Sequence, residues 1–358
     1  MCSSDLRLRE LSEELMITRL AFLCAAFAAA TAARADAVED FYRGKTIVIT
    51  VGMPPPDQHD NDARTLARHM GKYIPGNPTI IVQNMPGGGS MKSVQYAFTI
   101  APRDGLNFVI AQRGMMMMTL LGYPEANFDP TKFNFVGSRS PETTILALWH
   151  EAKAKSIQDA MREEVVLASS GGGADSNTMP FIYNETLGTK FKAIVGYAGG
   201  GDMNLAMERR EVDGRAGWSV GALRGVHEDW WQEKKVNVIL QHALRKHKEL
   251  PNTPNARDLV KSDADRGLID LFAKRAEIGF PFFAPPGVPA ERLAALREAF
   301  MKATRDPAYL AEAAKMPAEV DPIPGARMNE IVNDMYATPR DIVERAKNIL
   351  RAQGQVLN

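Results

Sequence analysis

Three times in this chain a short aliphatic run breaks into glycines and then resumes as a helix-like segment. Ile80-Ile81-Val82 leads to Pro86-Gly87-Gly88-Gly89-Ser90, Val165-Val166-Leu167 to Ser169-Ser170-Gly171-Gly172-Gly173, and Ala193-Ile194-Val195 to Gly199-Gly200-Gly201. Each reads as strand, open turn, helix start. Glycine removes the Cβ where a ligand must approach the backbone, and the free amides and positive end of the following helix favour an anion. For any one such turn, taken alone, a simple reversal of the chain is the favoured reading. As a set they point to binding, because open α/β sheets take ligands at the carboxyl ends of their strands.

The segments around these turns alternate. Thr46 to Val51 is a buried strand, followed by a proline-rich loop from Gly52 to Gln58 and a helix with Ala63, Leu66, Ala67, Met70 and Ile74 at helical spacing. Pro75-Gly76-Asn77-Pro78 stops that helix. Then come a strand from Thr79 to Gln83, a helix capped by Ser90 that runs to Ile100, and a strand from Asn107 to Ala111. The pattern restarts near Thr144: strands Ile145 to Trp149, Val165 to Ala168, Phe191 to Val195 and Val236 to Leu240 alternate with helices Ile157 to Arg162, Asn177 to Leu187 and Asp202 to Glu208. Alternation of this kind predicts mostly parallel sheets with helices on their faces. From Pro289 the chain is nearly all helix, and this tail is expected to pack back on the first unit. A length of 358 residues suits two domains.

Charge and targeting narrow the function. The formal charge is zero, so no nucleic acid is implied, and Arg245-Lys246-His247-Lys248 reads as a solvated face. Met16-Ile17-Thr18-Arg19 leads into the apolar run Leu20 to Ala30 and then the small-residue sites Ala33-Arg34-Ala35 and Ala35-Asp36-Ala37. This is a secretory signal, shorter than the roughly 20 residues of a membrane span. Residues 1–37 are therefore expected to be leader and signal peptide, with Met16 the start, and the mature protein to be periplasmic. Both cysteines, Cys2 and Cys24, fall in that stretch, which leaves the rest without disulfides or thiolates. Phe22 and Leu23 are too bulky for lipid attachment at Cys24.

Signatures of chemistry are sparse. His59-Asp60-Asn61-Asp62 puts possible metal ligands close together, but no His-Glu-x-x-His occurs, and His242 and His247 are five apart, on different helix faces. Ser169 and Ser170 do not sit in Gly-x-Ser-x-Gly, and the glycine turns lack the Gly-Lys-Ser/Thr of a phosphate loop. No cofactor, metal or catalytic residue is expected. Arg113, just beyond the strand that ends at Ala111, suits a ligand carboxylate or an ordinary surface or structural role. Met115 to Met118 suit an adaptable pocket or core filling, and Trp218 a cleft wall or core packing.

Several motifs in one order resemble the exported solute receptors of tripartite tricarboxylate transporters, the Bug family. They are Phe41-Tyr42-Arg43-Gly44-Lys45-Thr46-Ile47, Val82-Gln83-Asn84-Met85-Pro86-Gly87-Gly88-Gly89-Ser90, Ala101-Pro102-Arg103-Asp104-Gly105, Gly196-Tyr197-Ala198-Gly199-Gly200, Glu211-Val212-Asp213-Gly214-Arg215 and Phe283-Ala284-Pro285-Pro286-Gly287-Val288-Pro289. The resemblance implies an α/β periplasmic binding protein of the type II, Venus-flytrap form. Its first lobe would be 38–143 plus 284–358 and its second 144–283, each a mostly parallel sheet flanked by helices. It also implies a monomer that captures a small organic carboxylate and meets the membrane components of a tripartite transporter. A sensor that presents its ligand to a signalling protein, and an exported serine hydrolase, are the alternatives. Family ligands are held largely by backbone amides and water in turns from both lobes. Here the resemblance places Met53, Pro54, His59, Asp60 and Pro86, Gly87, Gly88, Gly89, Ser90 on one side. Ser169, Ser170, Gly171, Gly172 and Tyr197, Ala198, Gly199, Gly200 fall on the other, and Arg113 and Trp218 complete the candidate site. One departure stands out: Pro54-Pro55-Pro56-Asp57 replaces the family's glycine-rich first turn, which predicts a weaker carboxylate cradle there and a less anionic ligand.

Overall fold

The computed structural model describes residues 37–55, 57–170, 174–315, 320–354 and 356–357. Residues 1–36, nearly all of the expected leader and signal peptide, lie outside them. Among the described residues no helix is long and apolar enough to cross a membrane.

The chain contributes β1 (Thr46–Val51), β2 (Thr79–Asn84), β3 (Asn107–Ile110) and β4 (Asn134–Ser138) to a first sheet. It then lays down β5 (Thr144–Trp149), β6 (Val165–Ser169), β7 (Phe191–Val195), β8 (Gly214–Ser219) and β9 (Val236–His242) in a second, and returns to the first with β10 (Phe282–Ala284) and β11 (Ile323–Pro324). The sheet orders are β11-β4-β10-β3-β1-β2 and β7-β6-β8-β5-β9. This is a two-lobed α/β fold. Every residue of β5 is buried, as befits a strand with both faces covered, whereas β2 at the edge alternates.

Both sheets are mixed. β1 pairs parallel with β2 and β3, and β6 with β7 and β8, as the alternating sequence requires. β5 runs against β8 and β9, and β10 against β3 and β4. A strand that enters a lobe from the connection between lobes has to point away from it, opposite to strands whose carboxyl ends face it.

The two connections lie side by side. Phe280 N–H donates to Ser138 Oγ at 2.9 Å and Glu142 N–H to the Ala276 carbonyl at 2.9 Å. Gly279 (φ +61°) presses on the Ser140 carbonyl so closely that no side chain would fit.

Not all of the tail belongs to the first lobe. The helices Ala290–Ala303 and Gly325–Tyr336 pack on β4, and Pro307–Ala313 packs on the helix Gln58–Met70. The last helix, Arg340–Ala352, instead packs on Asp175–Leu187 and Asp263–Lys274 of the second lobe. Its buried face of Val343, Ala346 and Leu350 finds cover there, and Arg345 pairs with Asp265 at 2.6 Å. The expectation that 284–358 stays with the first lobe is corrected for this helix.

Candidate functional site

Strand direction gathers the glycine turns. β5 starts where β8 and β9 end, since Thr144 pairs with Ser219 and His242. β10 starts where β3 and β4 end, since Phe282 pairs with Ile110 and Gly137. The carboxyl ends of β1 to β4 and of β6 to β9 thus face the connections, and each expected turn leaves one of those ends.

In the first lobe the turn after β2 is built on positive φ: Gly87 at +144°, Gly88 at +56°, Gly89 at +60° and Ser90 at +84°. Ser90 does not cap the helix Met91–Thr99, contrary to expectation. Its left-handed backbone turns the hydroxyl inward, where it donates to the Gly52 carbonyl and accepts from Gln112 N–H, both at 3.2 Å. That helix start therefore keeps its backbone donors uncapped by a side chain, below the exposed Pro86 to Gly89. Met53 joins the same rim through Gln112 Nε2, 3.3 Å from its sulfur, while Pro54 is exposed beside it.

The turn after β1 is closed off by its own residues. Asp57 accepts from His59 N–H at 2.8 Å and so caps the helix Gln58–Met70, and its carboxylate also meets His59 Nδ1 at 2.6 Å. Burial works against that charge, but His59's charge and hydrogen bonds outweigh it and hold the carboxyl below the usual range. Asp60 is engaged as well, by Arg64 at 2.8 and 2.9 Å and by Asn84 at 2.8 Å. Hydrogen bonds from Arg64 keep it ionised. His59 Nδ1 and the Asp60 carboxylate are thus already engaged within the turn.

In the second lobe Ser169 is buried at the end of β6, and Ser170 is exposed with its Oγ 3.3 Å from Ser176 Oγ. Gly171 and Gly172 lie outside the described residues. Tyr197 N–H donates to the Ser169 carbonyl at 3.3 Å, which ties the β6 and β7 turns together. Ala198 is exposed, and Gly199 and Gly200 open the helix Gly200–Glu208, whose start has no side-chain cap.

Under that helix start lies Arg215, which sequence spacing gave no reason to single out. β8 carries a bulge: Ile145 pairs with Trp218 while Ala147 pairs with Arg215, and Gly217 sits at φ +70°. The extra residue places Arg215 and Trp218, three apart in sequence, on one face, with the guanidinium 4.8 Å above the indole. Trp218 is 3% exposed, so it supports Arg215 from within the core instead of walling a cleft. Arg215 Nη1 donates to the Gly200 carbonyl at 3.1 Å and to Asn204 Oδ1 at 2.9 Å. Asn204 is oriented in turn by His227 Nε2, 2.9 Å from its amide nitrogen; burial keeps that histidine's pKa low.

One contact spans the two sheets at this edge. Arg113, just past β3, places Nη2 3.3 Å from Oδ2 of Asp175, the first residue of the helix Asp175–Leu187. Arg275 holds the other oxygen at 2.7 Å. Burial alone would raise the Asp175 pKa, but the two guanidiniums bring it below the usual range. Arg113 is thus met by an internal carboxylate, and Asp175 and Arg275 join the site's surroundings without any local signal. A chain separation of 62 residues hides the first pair from sequence.

No family model matches the chain, and no curated protein does. Solved structures do. A TctC solute binding protein from Polaromonas shares 13% identity over 87% of this chain and 99% of that one, with a TM-score of 0.63. The periplasmic binding protein BugD shares 18% over 88% and 99%, with a TM-score of 0.64. MatC from Rhodopseudomonas palustris with bound malate shares 18% over 85% and 98%, also at 0.64. Across nearly the whole of those proteins, this chain has the two-lobed fold of the TctC, BugD and MatC periplasmic binding proteins.

Proposed function

We propose that this protein is a periplasmic solute receptor that takes a small organic carboxylate between its lobes, leaves it chemically unchanged and delivers it to a tripartite tricarboxylate-type membrane transporter. The observation that carries the reading is the pair of uncapped, glycine-fronted helix starts, Gly87 to Met91 in one lobe and Gly199 to Asp202 in the other, at strand ends that face the same connection. Helix starts whose backbone donors no side chain caps favour an anionic ligand. Malate in the structurally similar MatC supports a carboxylic acid. Contacts to both lobes would form only in the closed state, so binding would drive closure.

A thermal-shift series over mono-, di- and tricarboxylates tests this, because a ligand that binds only the native state raises Tm. A concentration-dependent rise with at least one acid is expected, and calorimetry should then show one saturable site. In Gly88→Val the new side chain must begin 2.9 Å from Met91 Cβ at a positive φ, so the turn should distort and affinity fall while the fold persists. Flat Tm values across all the acids would overturn the reading.

A further inference from the structure

Three arginines are buried among the described residues, and two of them face carboxylates: Arg139 lies 3.3 Å from Asp62, and Arg275 2.7 Å from Asp175. Arg215 faces none. Only 7% of it is exposed, its Nε has no partner, and Nη1 is satisfied by a carbonyl and an amide oxygen, neither of which neutralises charge. Burial pulls its pKa down to about 10, so it still carries its proton at neutral pH. A buried guanidinium without an anion is costly to keep. The guanidinium rests on the Trp218 ring, which holds it without using a donor, and lies against the first turn of the helix Gly200–Glu208. A Cβ on Gly200 would sit 3.1 Å from Nη1, whereas Gly199 and Gly201 have open space around them. An anion at that helix start would meet backbone donors and a nearby unpaired cation together.

Resting on the receptor reading above, we propose that Arg215 reads a second acidic group of the ligand, making the protein selective for dicarboxylates over monocarboxylates of equal length. One carboxylate lies against the Gly87 to Ser90 turn. The other meets Gly199 to Asp202 with the charge of Arg215 behind them.

The test is calorimetry on the mature protein with four-, five- and six-carbon dicarboxylates and the monocarboxylates of the same lengths, repeated for Arg215→Met and Arg215→Lys. The wild type should bind at least one dicarboxylate about tenfold or more tightly than its monocarboxylate. Arg215→Met should lose that preference by weakening the dicarboxylate about tenfold, while the monocarboxylate changes less than about twofold. Without ligand, Arg215→Met should melt no lower than the wild type, since it removes an uncompensated buried charge; a purely structural arginine would lower Tm instead. Should Arg215→Met fail to fold, Arg215→Lys keeps the charge but loses the planar fork, and an intermediate loss of preference is expected. Binding without any difference between the two acid classes, or unchanged dicarboxylate affinity in both variants, overturns this proposal and leaves the receptor reading standing. No binding of any acid by the wild type removes both.

Discussion

Replacing Asp175 by asparagine keeps the shape of the side chain and removes the charge between two guanidiniums. Arg275 is 2.7 Å from one oxygen and Arg113 3.3 Å from the other, and Asp175 itself is only 11% exposed. Without the carboxylate, two cations face each other across an amide with little water to screen them. Removing one partner of a buried pair costs about 3–5 kcal/mol, and the third charge places this case at the upper end. Removing Arg275 as well, in Asp175→Asn/Arg275→Met, relieves the stranded charge, so the double variant should be more stable than the two single losses predict. A coupling energy of about 2 kcal/mol is expected. Urea unfolding measures it, followed by far-UV circular dichroism and by tryptophan fluorescence; Trp149, Trp218, Trp230 and Trp231 all lie in the stretch from β5 to β9 and so report the second lobe. Coincident transitions with an unchanged m-value license the comparison. The pH dependence has a fixed sign. The folded pKa of Asp175 is depressed, so its stabilisation is complete above the unfolded value of about 3.9 and fades as pH falls through the folded value. The deficit of Asp175→Asn should be constant from about pH 5 to 8 and shrink only in stronger acid. A single-variant loss below about 1 kcal/mol, or strict additivity, would refute the claim that these charges depend on one another.

Other expectations follow from individual sites. Gly52→Ala would bring a Cβ to 2.5 Å from Ser90 Oγ and Ser93 Oγ, forcing the β2 turn to shift; a loss of about 1–3 kcal/mol by urea unfolding is expected, with weaker ligand binding. Asp57→Ala removes the cap on Gln58–Met70 and should cost about 1 kcal/mol while raising carboxylate affinity a few-fold by calorimetry. Equal or weaker affinity would show that the freed helix start does not face the ligand. His242 is buried beside Arg275 and held neutral, its pKa pushed down to about 3 by burial first and Arg275 second. The unfolded chain therefore takes up a proton near pH 6.5 that the folded chain refuses, so stability falls as pH drops from about 6.5 towards 3. His242→Gln should flatten that fall by a few kcal/mol, read as Tm at pH 7 and at pH 4.5.

The alternation of strands and helices was legible because each element carried its own period, and the glycine turns because glycine at a strand end has a local physical meaning. Strands without a period escaped. β8 reads Gly-Arg-Ala-Gly-Trp-Ser, and its bulge at Gly217 breaks the alternation that would mark a strand; β10 is three residues between Pro281 and Pro285. Contacts between distant residues escaped for another reason. Nothing near Arg113 in sequence announces Asp175, and nothing near Gly200 announces Arg215, since strand order alone brings them together. The first turn shows how the two scales interact. From sequence, Asp57 looks like a charge set against an anionic ligand. In the fold that charge is spent on its own helix start and on His59, while an unpaired guanidinium lies behind the uncapped helix start of the opposite lobe. The formal charge of zero conceals this sorting, because what governs an anion's affinity is where an uncompensated charge is buried, not the sum over the chain. A ligand less anionic than the family's would gain nothing from Arg215, whereas a second carboxylate would supply the one countercharge that this buried arginine lacks.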